Sequence, residues 1–136
     1  MPYLLDADSA SLAINGNKRV RSRVQQTPDV WLSAIAAEEI TRGVLGLINQ
    51  SRDKPGSPAA YILFGNLLTA YCDYRLHPYN AEASLVYASF SAQIKRLGTQ
   101  DCRIAASAIA AGWIVVTANR RHFSQIPGVQ FEDWSR

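Results

Sequence analysis

Residues 99–119, TQDCRIAASAIAAGWIVVTAN, form the stretch that decides the fold class. A helix is predicted from Thr99 to about Ala110, because threonine is a common capping residue and the repeated alanines allow close packing. A short, fully apolar strand over Trp113–Val116 follows it. A helix that leads into a buried strand is the repeating unit of α/β proteins with a parallel sheet.

The same alternation extends outward from this stretch. Apolar strands are predicted over residues 2–5 and 30–32, an extended stretch over 77–79 and an edge strand over 129–131. Helices are predicted over residues 8–14, 18–26, 33–48, 59–76 and 81–95. The inner face of the last of these is predicted to consist of Leu85, Ala88, Ala92 and Leu97. We therefore predict a three-layer α/β/α fold with a central, mostly parallel sheet of four to five strands, in a single domain over residues 1–136.

Composition sets broad limits on function. A length of 136 residues with 48% apolar and 18% charged residues suits one folded domain and excludes a disordered chain. The net charge of +3 is a mild indication of an anionic partner. The basic cluster Lys18 to Arg23 is interpreted first as a solvated helix face. For Arg120 and Arg121, phosphate contact and a solvated face are equally open.

The cysteines and the apolar runs predict the compartment. Cys72 and Cys102 lie in apolar surroundings without a zinc-ligand pattern, which predicts buried free thiols in a reducing cytosol. The N-terminus lacks the layout of a signal peptide. The longest uncharged stretch, residues 104–119, is shorter than the roughly 20 residues of a membrane span. We expect a cytoplasmic protein with no membrane segment.

Four polar side chains adjoin short apolar runs: Asp6, Glu39, Asp101 and Asn119. Residues just beyond the carboxyl ends of parallel strands converge on one crevice. Three carboxylates gathered there repel one another, and Mg²⁺ or Mn²⁺ is the usual positive partner that offsets them. The pattern indicates a metal-dependent hydrolase.

The two carboxylates nearest the N-terminus have ordinary structural alternatives. Asp6 could cap the next helix, although Asp8 could take that position and leave Asp6 free for metal. One of two adjacent glutamates usually faces solvent, so either Glu38 or Glu39 could be a surface residue. Glu39 shares a helix face with Ile35 and Gly43, so it is the one predicted to point inward while Glu38 points elsewhere.

The remaining members have alternatives of the same kind. Asp101 could be a first-turn acid that interacts favourably with the helix dipole. Asn119 could be an ordinary loop residue after a strand. His122 lies close to the predicted site, but a surface or hydrogen-bonded role is favoured over a catalytic one. The four residues indicate a site as a set and not one by one.

Four segments resemble the motifs of PIN domains, in the same order along the chain. They are Leu4–Asp8 (LLDAD), Ile35–Gly43 (IAAEEITRG), Gly98–Ala106 (GTQDCRIAA) and Val116–Phe123 (VTANRRHF). The closing residues 126–134 are also similar to the end of the family's smaller members. Among PIN domains the chain most resembles VapC-type toxins, the ribonuclease half of toxin–antitoxin pairs.

The resemblance implies a set of site residues. Asp6, Glu39 and Asp101 would hold Mg²⁺ or Mn²⁺, and Asn119 would be the fourth catalytic residue. The residues expected at the substrate are Thr117, which would brace the site through its hydroxyl, Arg120 and Arg121. Asp6 and Asp101 would be direct ligands, Glu39 a ligand or the group that orients the attacking water, and Asn119 an outer-shell partner.

Three departures from the family pattern bear on this site. Ala7 stands where a threonine is common, Asn119 where the strongest metal sites have aspartate, and His122 where an acid commonly precedes the phenylalanine. The loss of one negative charge at Asn119 predicts weaker metal binding, which Asp8 could partly restore. Three carboxylates remain, so the site itself is expected to persist.

The resemblance also implies partners. RNA in single-stranded or loop regions fits a compact site better than duplex RNA. A cognate antitoxin and a homodimer are expected. The apolar helix 59–72, with Tyr61, Phe64 and Tyr71, could supply an antitoxin groove or a dimer surface, and core packing of these aromatics is at least as good an interpretation.

Two other functions compete with a metal-dependent ribonuclease. Asp6 and Asp8 after an apolar strand also mimic the nucleophile motif of haloacid dehalogenase-type phosphatases, but no lysine follows Lys95. The stronger rival is a non-catalytic PIN-fold module, weakened at Asn119, that binds RNA or protein without cutting.

Overall fold

The computed structural model describes residues 1–136 and contains five short strands and eight helices. The strands are β1 Tyr3–Leu5, β2 Val30–Ser33, β3 Arg75–His77, β4 Ile114–Val116 and β5 Gln130–Glu132. The helices are α1 Ala7–Ile14, α2 Lys18–Gln26, α3 Ala34–Ser51, α4 Ser57–Tyr71, α5 Ala81–Ser89, α6 Ala92–Lys95, α7 Thr99–Ala111 and α8 Arg120–Phe123.

The strands form one sheet in the order β3-β2-β1-β4-β5, and every neighbouring pair is parallel. Leu4 and Leu5 at its centre are fully buried, as expected for a strand that is covered on both faces. The predicted three-layer α/β/α architecture with a parallel sheet is confirmed, and the edge position of the last strand is confirmed as well.

The register aligns the ends of the central strands. Leu5 pairs with Leu32 on one side and with Val116 on the other. The residues that come next in each chain segment, Asp6 and Thr117, therefore leave the sheet side by side. The Asp6 N–H donates to the carbonyl of Val116 at 3.1 Å, which ties the two segments together.

Side-chain caps explain several helix starts. Ser33 Oγ accepts from the N–H groups of Ile35 and Ala36 and starts α3, as predicted. At α7 the prediction of a Thr99 cap is wrong: Gly98 holds the cap position, and no side-chain cap bond is present. Helix α7 ends at Gly112, whose φ of 74° is the left-handed conformation that glycine adopts without cost.

Two predicted helices differ in extent. The helix expected to reach about residue 76 ends at Tyr71, because Arg75–His77 pair with β2 and become β3. The helix expected over 81–95 is divided into α5 and α6, since Phe90 adopts an extended conformation between them and its side chain is buried. Leu85 is 73% exposed, so its predicted inward position is wrong. Helix α5 buries Ala83 instead.

The cysteine prediction is half correct. Both thiols are free, and Cys102 is fully buried in the core beneath α7. Cys72 is exposed, because it follows the last turn of α4 on the solvent side. None of the helices combines the length and the apolar character needed to cross a membrane.

Candidate functional site

The candidate site lies where the strand order changes direction. From β1 the chain first adds β2 and β3 on one side, and it then returns to add β4 and β5 on the other. In open parallel sheets the crevice at such a point, outside the carboxyl ends of the strands, is the usual ligand site. Asp6 follows β1 and Asn119 follows β4 by three residues, so both lie at this edge.

Helices bring two more side chains to the same edge. Helix α3 begins where β2 ends, which places Glu39 in its second turn. Helix α7 runs back toward β4 across Gly112, so its N-terminal turn, with Asp101, lies at the carboxyl end of the sheet. Charge interactions of Glu39 with both Asp101 and Asp6 indicate that the three carboxylates share this region.

Asp6 is the most buried carboxylate of the site. It is 2% exposed, and its Oδ1 accepts from the Ser9 N–H at 2.9 Å. Asp6 is therefore the cap of α1, and the expectation that Asp8 could replace it there is wrong: Asp8 is an exposed first-turn residue. Burial raises the pKa of Asp6 to about 6, against hydrogen bonds from Thr117 and Ser9 that lower it.

Glu39 and Glu38 have different surroundings, as predicted. Glu38 is exposed, forms an ion pair with Arg42 and accepts from Gln100 Nε2 at 3.0 Å. Glu39 is half-buried, and its Oε1 is buried without any hydrogen-bond partner. Burial raises the pKa of Glu39, and the charges of Asp101 and Asp6 raise it further. The Oε1 atom of Glu39 is thus a buried acceptor that lacks a partner from the chain itself.

Asp101 is held by two donors on one oxygen. Its Oδ2 accepts from Asn119 Nδ2 at 3.1 Å, and His122 Nδ1 lies 3.1 Å from the same oxygen. Asn119 is oriented in turn, because its N–H donates to Thr117 Oγ1 at 2.9 Å. This arrangement leaves Oδ1 of Asp101 for another ligand, and it matches an outer position for Asn119.

His122 has the hydrogen-bonded role, which was one of the two roles favoured over a catalytic one. Its ring is joined to the site through Asp101, a partner that the sequence reasoning did not name. The available signal was its spacing: His122 follows Asn119 by three residues, and residues three apart share one side of a helical turn. No helix was predicted over residues 120–123, so this spacing was not applied.

The three expected substrate residues divide into two groups. Thr117 is fully buried, which suits the bracing role but contradicts direct contact with a substrate. Arg120 and Arg121 are exposed on α8, directly after Asn119. Their guanidinium groups are free to meet an anion from solvent.

The donor set suits a hard divalent cation. No salt bridge joins Asp6 or Glu39 to a basic side chain. Neither carboxyl group therefore has a cation beside it that would lower its raised pKa. Carboxylate oxygens are the ligands that Mg²⁺ and Mn²⁺ prefer. No group of three or more His, Cys, Asp or Glu side chains is arranged closely enough to hold an ion as placed. Mutual repulsion of the carboxylates opposes such convergence.

An apolar groove opens beside Glu39. It lies between α1, α3 and α4, has a volume of about 610 Å³, and includes Leu47, Leu63 and Leu67 in its lining. Helix α4 contributes Leu63 and Leu67 to this groove, but Tyr61 and Phe64, which were named for a predicted antitoxin groove, do not line it. Tyr71 does not line it, because its hydroxyl donates to the carbonyl of Ala37 at 2.9 Å and packs against α3.

Known proteins with similar sequence and structure agree with this architecture. The PIN domain family matches residues 3–129. The tRNA(fMet)-specific endonuclease VapC of Salmonella typhimurium is 38% identical over 60 residues, and this alignment covers 41% of the chain and 46% of that protein. The chain thus spans about half the length of this curated relative.

Solved structures match over nearly the whole chain. DNA-bound VapBC from Salmonella typhimurium matches with a TM-score of 0.74 and 23% identity, covering 98% of both chains. VapBC-1 from nontypeable Haemophilus influenzae matches with a TM-score of 0.72 and 24% identity, covering 100% of both. At these identities the likeness concerns the fold. The predicted resemblance is confirmed: the chain belongs to the PIN domain family.

Proposed function

We propose that this chain is a divalent-metal-dependent endoribonuclease and the toxin of a toxin–antitoxin pair. The observation that carries the proposal is the shared position of Asp6, Glu39 and Asp101 at the carboxyl edge of the sheet, with no basic side chain paired to Asp6 or Glu39. When ionised, carboxylates in this state are stabilised by a cation from outside the chain. A phosphodiester is an anionic substrate, and a divalent cation promotes its hydrolysis.

Asp6, Glu39 and Asp101 would hold Mg²⁺ or Mn²⁺. When bound, the ion supplies charge neutralisation at the phosphate and activates water for in-line attack. Asp6 and Asp101 would act as direct ligands, Asp101 through the Oδ1 that Asn119 and His122 leave free. Glu39 would be a ligand or would orient the attacking water through its partnerless Oε1. Asn119, braced by Thr117, sets the orientation of Asp101.

Arg120 and Arg121 bind the scissile or the adjacent phosphate. Both are exposed and directly follow Asn119, so phosphates approaching the carboxylates pass them. Guanidinium groups bind phosphate oxygens in pairs. Single-stranded or loop RNA fits best, because a compact crevice needs an exposed backbone. The relative that acts on tRNA(fMet) supports RNA as the substrate class.

The expected protein partners have separate surfaces on α4. A cognate antitoxin would lay a segment in the groove beside Glu39 and so block the site. The structural neighbours described above are VapBC complexes, which supports such a partner. A homodimer would use the other side of α4, where Tyr61, Ile62 and Leu68 are 53%, 64% and 47% exposed. The cytosol remains the predicted compartment.

The adjacent glutamates provide a matched test. The purified chain is incubated with single-stranded and structured RNAs in Mg²⁺, Mn²⁺ or EDTA, beside Glu39→Gln and Glu38→Gln. We expect cleavage that EDTA abolishes, that Glu39→Gln lowers by about 10- to 100-fold and that Glu38→Gln leaves unchanged. Equal cleavage by the two variants, or cleavage in EDTA, would contradict the proposal.

A second candidate is the non-catalytic RNA- or protein-binding module. Two observations favour it: the carboxylates are not drawn into an ion-binding group, and Asn119 replaces a carboxylate. It predicts intact RNA under all conditions even though calorimetry detects Mn²⁺ binding. Metal-dependent cleavage in the same assay would eliminate it.

A further inference from the structure

A second charged surface lies on the side of the molecule where α2 meets the C-terminal segment. We call it the basic face and define it by Lys18, Arg19, Arg23, Arg120 and Arg136, all of which are exposed. Three of these cations are on α2, which carries no acidic residue in its first turn. The proposed nuclease mechanism uses only one member of the face, Arg120.

Two adjoining clefts make the basic face continuous. One, of about 430 Å³, includes Lys18, Arg19, Arg23 and Arg136 in its lining. The other, of about 350 Å³, includes Arg23, Arg136 and Arg120. Because the two shallow clefts share Arg23 and Arg136, the cations form one continuous surface and not isolated charges.

The shared cations are held in place by neighbouring side chains. The Arg23 guanidinium lies 4.8 Å from the centre of the Trp134 ring and 3.4 Å from Glu132 Oε1. Arg136 Nε lies 3.5 Å from Asp133 Oδ2. These are the two carboxylates on the path, against five cations. The two cations that the clefts share are thus fixed in position, while Lys18, Arg19 and Arg120 on the same face form no ion pair.

The basic face ends at the catalytic crevice. Arg120 directly follows Asn119, whose side chain donates to Asp101. A strand whose scissile phosphate lies at Asp101 therefore meets Arg120 first and then Arg23 and Arg136. The path from Arg120 to α2 thus carries five cations and two carboxylates, a net positive charge.

We propose that the basic face binds the phosphate backbone of the single-stranded RNA that runs on from the catalytic crevice, an inference that rests on the proposed ribonuclease function. Charge complementarity identifies the occupant, because a polyanion offsets five cations. The contact is with phosphates and not bases: Trp134 is 2% exposed and already covered by Arg23, so no aromatic ring is offered for stacking.

The test compares two double variants that each remove two exposed cations. Lys18→Gln with Arg19→Gln alters the basic face, and Arg52→Gln with Lys54→Gln alters the turn between α3 and α4. Binding of a labelled single-stranded RNA of about 12 nucleotides is measured by anisotropy over a range of salt, in the full chain carrying Asp101→Asn so that it is not cut. Far-ultraviolet circular dichroism and thermal melts verify that each variant is folded.

We expect the basic-face variant to bind RNA about 10- to 30-fold more weakly at about 0.1 M salt, with the slope of log affinity against log salt reduced by about 1.4. The control should change affinity by no more than about twofold. Arg136→Gln, which leaves α2 intact, should weaken binding in the same direction. Equal affinity and slope for the two double variants would overturn the proposal.

Failure of this inference is distinguishable from failure of the ribonuclease proposal. If the native chain cleaves RNA in Mg²⁺ but the two double variants bind it alike, only the basic-face assignment fails. If the native chain does not cleave, yet the basic-face variant alone loses affinity, the nuclease proposal fails and the RNA-binding face stands.

Discussion

Two groups of carboxylates in this chain have pKa values that are shifted in opposite directions. At the carboxyl edge of the sheet, burial raises the pKa of Asp6 to about 6 and also raises the pKa of Glu39. In the C-terminal segment, burial alone would raise the pKa of Asp133, but hydrogen bonds from Ser135 and the charges of Arg136 and Arg120 outweigh it and lower the pKa. One group has its cations built into the chain, and the other does not.

The difference indicates what each region is for. Carboxylates that only stabilise a fold are paired, because an unpaired buried charge costs free energy. The C-terminal carboxylates obey this rule and hold arginines in place. The crevice carboxylates break it, and buried, unpaired ionisable groups with raised pKa values are characteristic of functional sites. Substitutions in the crevice and in the C-terminal segment can each test this comparison.

The largest effect is expected from Asp101→Asn. The variant keeps a side chain of the same size but loses the charge that two donors orient. We expect RNA cleavage to fall by at least about 100-fold, since loss of a ligand exceeds the 10- to 100-fold cost of losing an outer partner. Gel assays of cleavage and calorimetry with Mn²⁺ measure this. Retained cleavage in a folded variant would remove Asp101 from the site.

The second-largest effect is expected from Asp6→Asn, on the free energy of unfolding and its dependence on pH. The folded Asp6 pKa of about 6 lies above the unfolded value near 3.9, so the folded chain binds more protons between these values. The free energy of unfolding therefore falls as pH rises from about 4 to 6. Above pH 6 the folded state carries the full destabilisation that the buried Asp6 charge causes. Asp6→Asn, which retains the cap of α1, should be more stable than the native chain by about 1 to 3 kcal/mol at neutral pH without metal.

Urea unfolding of both proteins at several pH values measures this difference. The gain should shrink steadily as the pH falls toward about 4, where both states of Asp6 are increasingly protonated. Added Mn²⁺ should stabilise the native chain and not the variant. A gain that does not depend on pH would show that burial of the charge is not its cause.

A smaller effect is expected from His122→Ala. The substitution removes one of the two groups on Asp101 Oδ2 and leaves Asn119 in place. Mn²⁺ affinity and cleavage should each fall by about 10-fold, at the lower end of the range for outer partners. His122→Gln, whose amide can still donate, should restore most of both. An equal loss in the two variants would indicate a packing role instead.

The smallest effect is expected in the paired region. Arg23→Gln breaks the ion pair with Glu132 and removes the guanidinium from Trp134. Both side chains of the pair are substantially exposed, so the free energy of unfolding should fall by less than about 1 kcal/mol. Thermal or urea unfolding measures it. A loss comparable to the Asp6 effect would mean that the C-terminal ion pairs carry much of the stability.

Much of the site could be predicted because its signals are local. Asp6 follows an apolar run, and the spacing from Ile35 distinguishes Glu39 from Glu38. Helix and strand alternation predicted a parallel sheet, and parallel strands bring their carboxyl ends together. These inferences use only the periodicities of single elements and the alternation of helices with strands.

Other features depended on neighbours that are distant in sequence. Leu85 and Cys72 look like core residues by type, but whether they are buried depends on which element packs against them. Thr117 was predicted among the residues at the substrate, yet its complete burial excludes contact with a substrate. His122 joined the site only because α7 places Asp101 opposite α8.

The sequence by itself determined the fold family and the alternation of apolar strands with helices, and it named three candidate carboxylates, because each of these is encoded in a few adjacent residues. Only the tertiary structure decided which carboxylates lack a cation, that His122 and Asn119 share one oxygen of Asp101, and that Arg120 joins α2 in one basic face. Charge pairing and burial act through space between segments that can lie 100 residues apart, as Arg23 and Glu132 do at a separation of 109. No local pattern can report them.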